Sequence, residues 1–211
     1  KLSPNEKSAI EQAPTRDLAA FDLYSRARNL ILSTSFSAIG GQNLRSAIDL
    51  LNQALARDPS FFLAQCQLAY AHDQLYFFSF DRTPERLALA ESAIQAAFKL
   101  RPEAGEAHLA KAEHLYRGYL DYKGAEAELE IARQSLPNEA HIFELAGYIA
   151  RRQGKQAEGL RHLERALDLD PRNFFTLQQI ALSYLNMLRF SDATVALTRA
   201  LSIKPDDVDT K

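Results

Sequence analysis

Five prolines frame this chain. Pro59, Pro102, Pro137, Pro171 and Pro205 each close a run of helix-forming residues, at successive separations of 43, 35, 34 and 34 residues. Proline has no backbone N–H and turns its predecessor away from the helical region, so it ends the second helix of a recurring unit. Ahead of each proline the same residue classes return in phase. The fourth unit, 140–173, carries Phe143, Ala146, Gly147 and Ala150 in its first helix, then Gly159, Leu163 and Ala166 in its second. The fifth, 174–207, holds Leu177, Ile180, Ala181 and Tyr184, then Ala193, Leu197 and Ala200. The third, 106–139, holds Leu109, Ala112, Glu113 and Tyr116, then Ala125, Leu129 and Ala132. Small residues where two helices cross let the backbones approach, and large ones fill the holes beside them. One helix pair cannot bury both its apolar faces, so it stacks on the next. Leu in place of Gly147 or Ala181 should overpack a crossing at a cost of roughly 1–3 kcal/mol. Glu113 stands where a small residue belongs. Either its helix pair packs less closely or its carboxylate reaches a partner.

The first two units are stretched. In 21–61, Tyr24, Ala27 and Ile31 precede Ala47, Leu51 and Ala54, with seven extra residues around 35–43. Gly40-Gly41 reads there as a loop. In 62–104, Leu68, Ala69 and His72 precede Ala90, Ile94 and Ala97, with nine extra residues within 75–86. Thr83-Pro84 opens the second helix of that unit. Residues 1–15 read as a linker or short helix capped by Ser3-Pro4-Asn5-Glu6, 16–207 as the repeat array, and 208–211 as a truncated tail. No polar capping element follows Pro205, so Val195 and Leu201 are expected to stay partly exposed.

The pattern resembles the tetratricopeptide-repeat (TPR) family over 21–207. That resemblance implies an all-α, right-handed superhelix (α-solenoid) of about five helix-turn-helix repeats, the first two with longer loops inside the repeat. Three segments carry a narrower resemblance: 13–28, Tyr76-Phe77-Phe78-Ser79-Phe80 with Thr83-Pro84-Glu85, and 169–181. They are similar to the C-terminal TPR regions of bacterial multidomain regulators. In those, a TolB-like domain commonly precedes the repeats, behind an adenylate cyclase, kinase or winged-helix module. The resemblance implies an interaction arm in bacterial signalling, in the cytoplasm or periplasm according to what precedes Lys1. The start at Lys1, without Met or leader, reads as internal.

In TPR proteins the first helices of the repeats line a concave peptide groove. Carried over by register, the groove candidates are Asn29, Tyr70, His114, Arg117, His141, Glu144, Tyr148, Arg151 and Gln178, with Asp22, Ser25, Cys66, Asp73, Ala110, Phe175 and Leu182 beside them. His114, Arg117, His141 and Arg151 make the middle of that set mildly basic, and Arg suits bidentate capture of carboxylates. Two readings stay open: a groove for an acidic peptide or free C-terminus, and a solvated face that keeps the array soluble. Only Asn29 and Lys111 match the Lys/Asn clamp by which some TPR proteins hold a chaperone C-terminus, so that clamp is not expected. Tyr76, Phe77, Phe78 and Phe80 form either an internal pack against the first repeat's insert or an exposed patch for a partner.

The remaining chemistry is sparse. Cys66 is the only cysteine, which rules out an intrachain disulfide, and no CxxC or HExxH offers metal-ligand spacing. His108 and His114 lie about 240° apart around a helix, on different faces. No GxSxG, GxxxxGK[ST] or GxGxxG is present. The 25 Lys and Arg against 27 Asp and Glu give a net charge of −2, without the basic excess of a general nucleic-acid binder. The expectation is a protein-interaction scaffold with no enzyme activity and no cofactor. The alternatives are self-association through the uncapped C-terminal helix, as a homodimer, and service as the accessory domain of an enzyme.

Overall fold

The structure is a computed structural model, and it describes residues 14–33 and 38–205. The expected cap at Ser3 and the tail after Pro205 lie outside those residues. Among the described residues ten α-helices follow one another, paired as first (A) and second (B) helices. They are α1 (Leu18–Leu32), α2 (Ala38–Arg57), α3 (Phe62–Phe77), α4 (Pro84–Leu100), α5 (Gly105–His114), α6 (Tyr122–Ser135), α7 (Ala140–Arg152), α8 (Gln156–Leu169), α9 (Phe174–Asn186) and α10 (Phe190–Ile203). Helix α5 runs on into a π-helical turn, Leu115–Tyr119. The chain divides into two compact units, 1–136 and 137–211. The division falls at the third repeat's proline.

In the first unit, Asp17 caps α1 by accepting from the Ala20 N–H at 2.9 Å, and Arg57 pairs with the same carboxylate at 3.0 Å. The helix starts three residues before the repeat pattern does. The core runs through Ala20, Tyr24 and Ala27 of α1, Leu44, Ala47 and Leu51 of α2, and Phe62, Ala69 and Leu75 of α3. Thr83 and Pro84 open α4 as expected, with Pro84 in the first turn.

Gly40 and Gly41 do not form a loop. Both lie buried within α2. A Cβ at Gly41 would sit 2.9 Å from the Phe80 ring, so that glycine admits an aromatic from the next repeat. The first insert therefore lengthens α2, and the second lengthens α3, α4 and the turn between them, residues 78–83.

In the second unit, Gly147 and Gly159 let α7 and α8 cross with backbones nearly touching. A Cβ on Gly159 would stand 2.8 Å from the Gly147 carbonyl oxygen. Leu160, Leu163, Ile180, Ala181 and Ala196 form the core above this crossing, and Phe174, Leu177 and Ala200 a second one beside it. Three A helices end in a left-handed residue in strict phase: Leu120 (φ 55°), Gly154 (φ 81°) and Leu188 (φ 57°), each 34 residues after the last. That conformation frees the chain to reverse into the B helix. Glycine adopts it without strain, and the two leucines do so at a cost. Val195 is 67% exposed and Leu201 partly exposed.

Candidate functional site

The candidate residues sit on the A helices, and their surroundings differ from an open groove. In the first unit, α3 and α5 lie side by side. Asp73 projects from α3 and His114 from α5, and their Oδ1 and Nδ1 atoms meet at 2.8 Å with both side chains buried. The other ring nitrogen of His114 faces Glu91 Oε2 of α4 at 3.4 Å. The Tyr119 ring, at the end of the π turn, closes over the imidazole edge-on at 5.2 Å. Burial works against the charged imidazole. The Asp73 hydrogen bond and the charges of Asp73 and Glu91 outweigh it, so His114 holds its proton above the usual histidine range. Burial also pushes the Asp73 carboxyl up, against the His114 bond.

Glu113, the residue that breaks the repeat pattern, reaches Arg117 one turn on. Both are interior, at 1% and 7% exposure. The guanidinium lies over Phe77 at 4.9 Å, Tyr70 at 5.5 Å and Tyr116 at 5.9 Å. Burial opposes its charge, but the Glu113 carboxylate more than offsets that, and Arg117 stays ionised. The π turn helps to make this arrangement. Tyr116 and Arg117 both belong to it and are buried. Leu87 of α4 packs so closely on Gly118 that a Cβ there would stand 2.9 Å from it. A satellite group lies nearby, where Arg86 links His72 Nδ1 at 2.9 Å to the Asp81 carboxylate. Burial and the Arg86 charge push the His72 pKa down to about 4.

In the second unit the same positions tie α7 to α9. Glu144 accepts from Asn173 Nδ2 at 2.9 Å and from the Thr176 hydroxyl, while His141 meets its other oxygen at 2.8 Å. Asn173 also caps α9 through the Thr176 N–H at 3.0 Å. Arg151 donates to Gln179 Oε1 at 2.7 Å and to the Gln179 carbonyl at 3.3 Å, and its charge lies over Tyr148 at 5.7 Å.

These findings place part of the groove set in the interior. Cys66, Asp73, Ala110, His114, Arg117 and Glu144 are buried. The polar atoms of His114, Arg117 and Glu144 join one A helix to the next or to its own turn. Asn29 is exposed, and Tyr70, His141, Tyr148, Arg151 and Gln178 are partly so. The Cys66 thiol is pushed well above its ordinary pKa by burial and by Glu106, so it is a poor nucleophile. For the aromatic cluster, Phe78 and Phe80 pack on the first unit's core, and the Phe80 carbonyl accepts from Arg45 at 3.0 Å. Phe77 packs on Tyr116 at 6.0 Å, and Tyr76 carries Arg82 at 5.4 Å. The tie partners Asn173, Thr176, Gln179 and Glu91 were not singled out from the sequence. Only Asn173 left a signal there, as a helix-capping residue type just before α9.

Among the described residues, no group of three or more His, Cys, Asp or Glu is placed to hold a metal ion. No helix of theirs is long and apolar enough to cross a membrane.

No family model matches the sequence. The BBSome complex member BBS4 homolog of Drosophila melanogaster is 38% identical over 56 residues, which are 26% of this chain and 12% of that protein. The chain therefore corresponds to a small part of that relative's length. Solved structures match far more of it. A thermophilic TPR protein of Thermus thermophilus superposes with a TM-score of 0.70 at 20% identity, over 91% of this chain and 95% of its own. PilW, a widely conserved type IV pilus biogenesis factor, gives 0.61 at 16% identity, over 92% and 82%. PilF of Pseudomonas aeruginosa gives 0.60 at 18% identity, over 92% and 81%. These likenesses show the fold, an all-α TPR fold of stacked helix pairs.

Proposed function

We propose that the chain is a protein–protein interaction scaffold without catalytic activity of its own. The observation that carries this reading is the engagement of its ionisable interior. The Asp73–His114, Glu113–Arg117 and Glu144–Thr176 contacts join helices to one another or brace their turns, so the groups best suited to chemistry hold the framework rigid. A framework of that kind presents surface. The accessible A-helix side chains are Asn29 and Tyr70 in the first unit and His141, Tyr148 and Gln178 in the second. Tyr offers a flat apolar body with a polar tip, and the Arg151 and His141 neighbours of Tyr148 favour an acidic segment. We therefore assign the chain an extended acidic peptide, or the acidic edge of a neighbouring domain, as its partner. The resemblance of 13–28, 76–85 and 169–181 to repeat regions of bacterial regulators supports a signalling setting.

The test is a fluorescence-anisotropy screen of labelled acidic and neutral peptides against the chain, repeated with Tyr70→Ala and Tyr148→Ala. Saturable binding of acidic peptides, weakened about tenfold by one of the substitutions, is the expected result. Binding that is indifferent to peptide charge and to both substitutions, or no binding at all, overturns the assignment.

A further inference from the structure

The repeat geometry defines what lies on the far side of the last helix pair. On α7, the side chains that receive α9 are Glu144, Tyr148 and Arg151, with His141 beside them. On α8, Leu160, Leu163 and Leu167 pack against the same neighbour. Adding the 34-residue period moves these positions one repeat on. His141 becomes Phe175, Glu144 becomes Gln178, Tyr148 becomes Leu182 and Arg151 becomes Leu185, while Leu163 and Leu167 become Leu197 and Leu201. Gln156, at the start of α8, becomes Phe190. Leu160 becomes Thr194. Every charged or ionisable handle has been exchanged for an uncharged side chain, and all the replacements but Gln178 and Thr194 are apolar.

This face is open to solvent among the described residues. Leu182 and Leu185 are each 41% exposed and Phe190 is 62% exposed. Phe175, Leu197 and Leu201 are partly so. Helical winding keeps the set together: on α10, residues 190, 197 and 201 fall within about 40° of one another at ~100° per residue, and Val195 points the other way.

We propose that this α9–α10 face is a self-association surface, covered by the same face of a second copy of the chain in an isologous two-fold dimer. Two observations favour that occupant. A face without charge meets its own image without like-charge repulsion, and a two-fold interface requires a surface that matches itself. The exposed parts of these side chains come to on the order of 500 Å² per copy, so a pair covers roughly 1,000 Å², at the threshold for a specific interface. The dimer is accordingly reversible, with a dissociation constant on the order of tens of micromolar. It shares Gln178 with the proposed peptide site, and Phe175 and Leu182 flank that groove by register; Leu185 lies outside it and the peptide test turns on Tyr70 and Tyr148, so the two readings stand or fall separately.

Sedimentation velocity of the 211-residue chain over a concentration series provides the test, with Leu182→Glu, Leu185→Glu and Val195→Glu alongside. The chain should pass from 23.7 kDa toward twice that mass as concentration rises. Glu at 182 or 185 places like charges across the two-fold and should weaken association at least about tenfold. Val195→Glu, on the opposite side of α10, should leave it unchanged. Helical circular dichroism of each variant checks that the fold is kept. A chain that stays monomeric to about 1 mM overturns the proposal. So does association that Leu182→Glu and Leu185→Glu leave intact, or that Val195→Glu reduces equally.

Discussion

Glu113 gives the sharpest test of how the third repeat is held. Judged by the repeat pattern alone, Glu113→Ala should help, because a small residue is the rule at that crossing and Ala favours helix. The structure reverses the sign. Glu113 and Arg117 are almost entirely removed from water, and the guanidinium also lies over three aromatic rings. Removing the carboxylate leaves a buried cation without its counter-charge, which costs about 3–5 kcal/mol. The gain in helix propensity is a few tenths. Arg117→Met alone leaves the buried carboxylate uncompensated and should cost a similar amount, less what the thioether regains against the rings. The double variant removes both charges and should fall within about 1–2 kcal/mol of the parent. The coupling across the pair is then roughly 3 kcal/mol or more. Urea denaturation of the four proteins, fitted to midpoints and slopes, measures it. Additive losses, with coupling below about 0.5 kcal/mol, would refute the claim that the pair acts as a unit. So would a stabilised Glu113→Ala protein.

Three further outcomes follow from the geometry. Gly159→Ala brings a methyl to 2.8 Å from the Gly147 carbonyl and 3.2 Å from the Arg151 nitrogen, both backbone atoms that cannot rotate away. Overpacking outweighs the ~1 kcal/mol propensity gain, and the melting temperature should drop by an amount matching a net loss of about 1–2 kcal/mol. Leu188→Gly relieves a left-handed leucine that is 74% exposed. It should raise stability by up to about 1 kcal/mol in chemical denaturation, the relief exceeding the added freedom of the unfolded chain. For pH, the two buried histidines act in opposite directions. The folded chain holds His72 near 4, below its ordinary 6.5, so the unfolded chain takes up the proton first and stability falls as pH drops from 6.5 toward 4. His114 is held above 6.5, so its contribution is complete below that value and is lost as pH rises through its folded pKa. Denaturation midpoints across pH should peak near 6 to 6.5. His72→Gln should flatten the acid limb and His114→Gln the alkaline one.

The helix pairs were legible because their determinants are local and recur: small residues at crossings, large ones beside them, proline after each B helix. Gly40 and Gly41 were misread because a glycine pair marks a turn or a close approach equally well. What distinguishes the two is Phe80, which belongs to the following repeat. The burial of His114, Arg117 and Glu144 among the groove candidates was not legible for a related reason. Register tells which side of an A helix Asp73, His114 or Glu144 occupies. It does not tell whether the neighbouring helix supplies a partner there, and the partners Asn173, Thr176 and Gln179 belong to another repeat. The π turn at Leu115–Tyr119 left no mark in the sequence, and the left-handed residues showed one only at Gly154. Leucine at Leu120 and Leu188 gives no hint of the conformation the chain imposes on it.

The ties between A helices also fix the order of the repeats. Asp73 is answered by His114, and Glu144 by Asn173 and Thr176. One repeat later, the place of His114 is taken by Tyr148, and after that by Leu182. Excising the third repeat would set the Tyr148 phenol where Asp73 requires an ionic partner. Repeats with the same backbone are therefore not exchangeable parts. These two junctions act as keyed connectors, so slipped pairings within a chain during folding meet an unanswered buried charge.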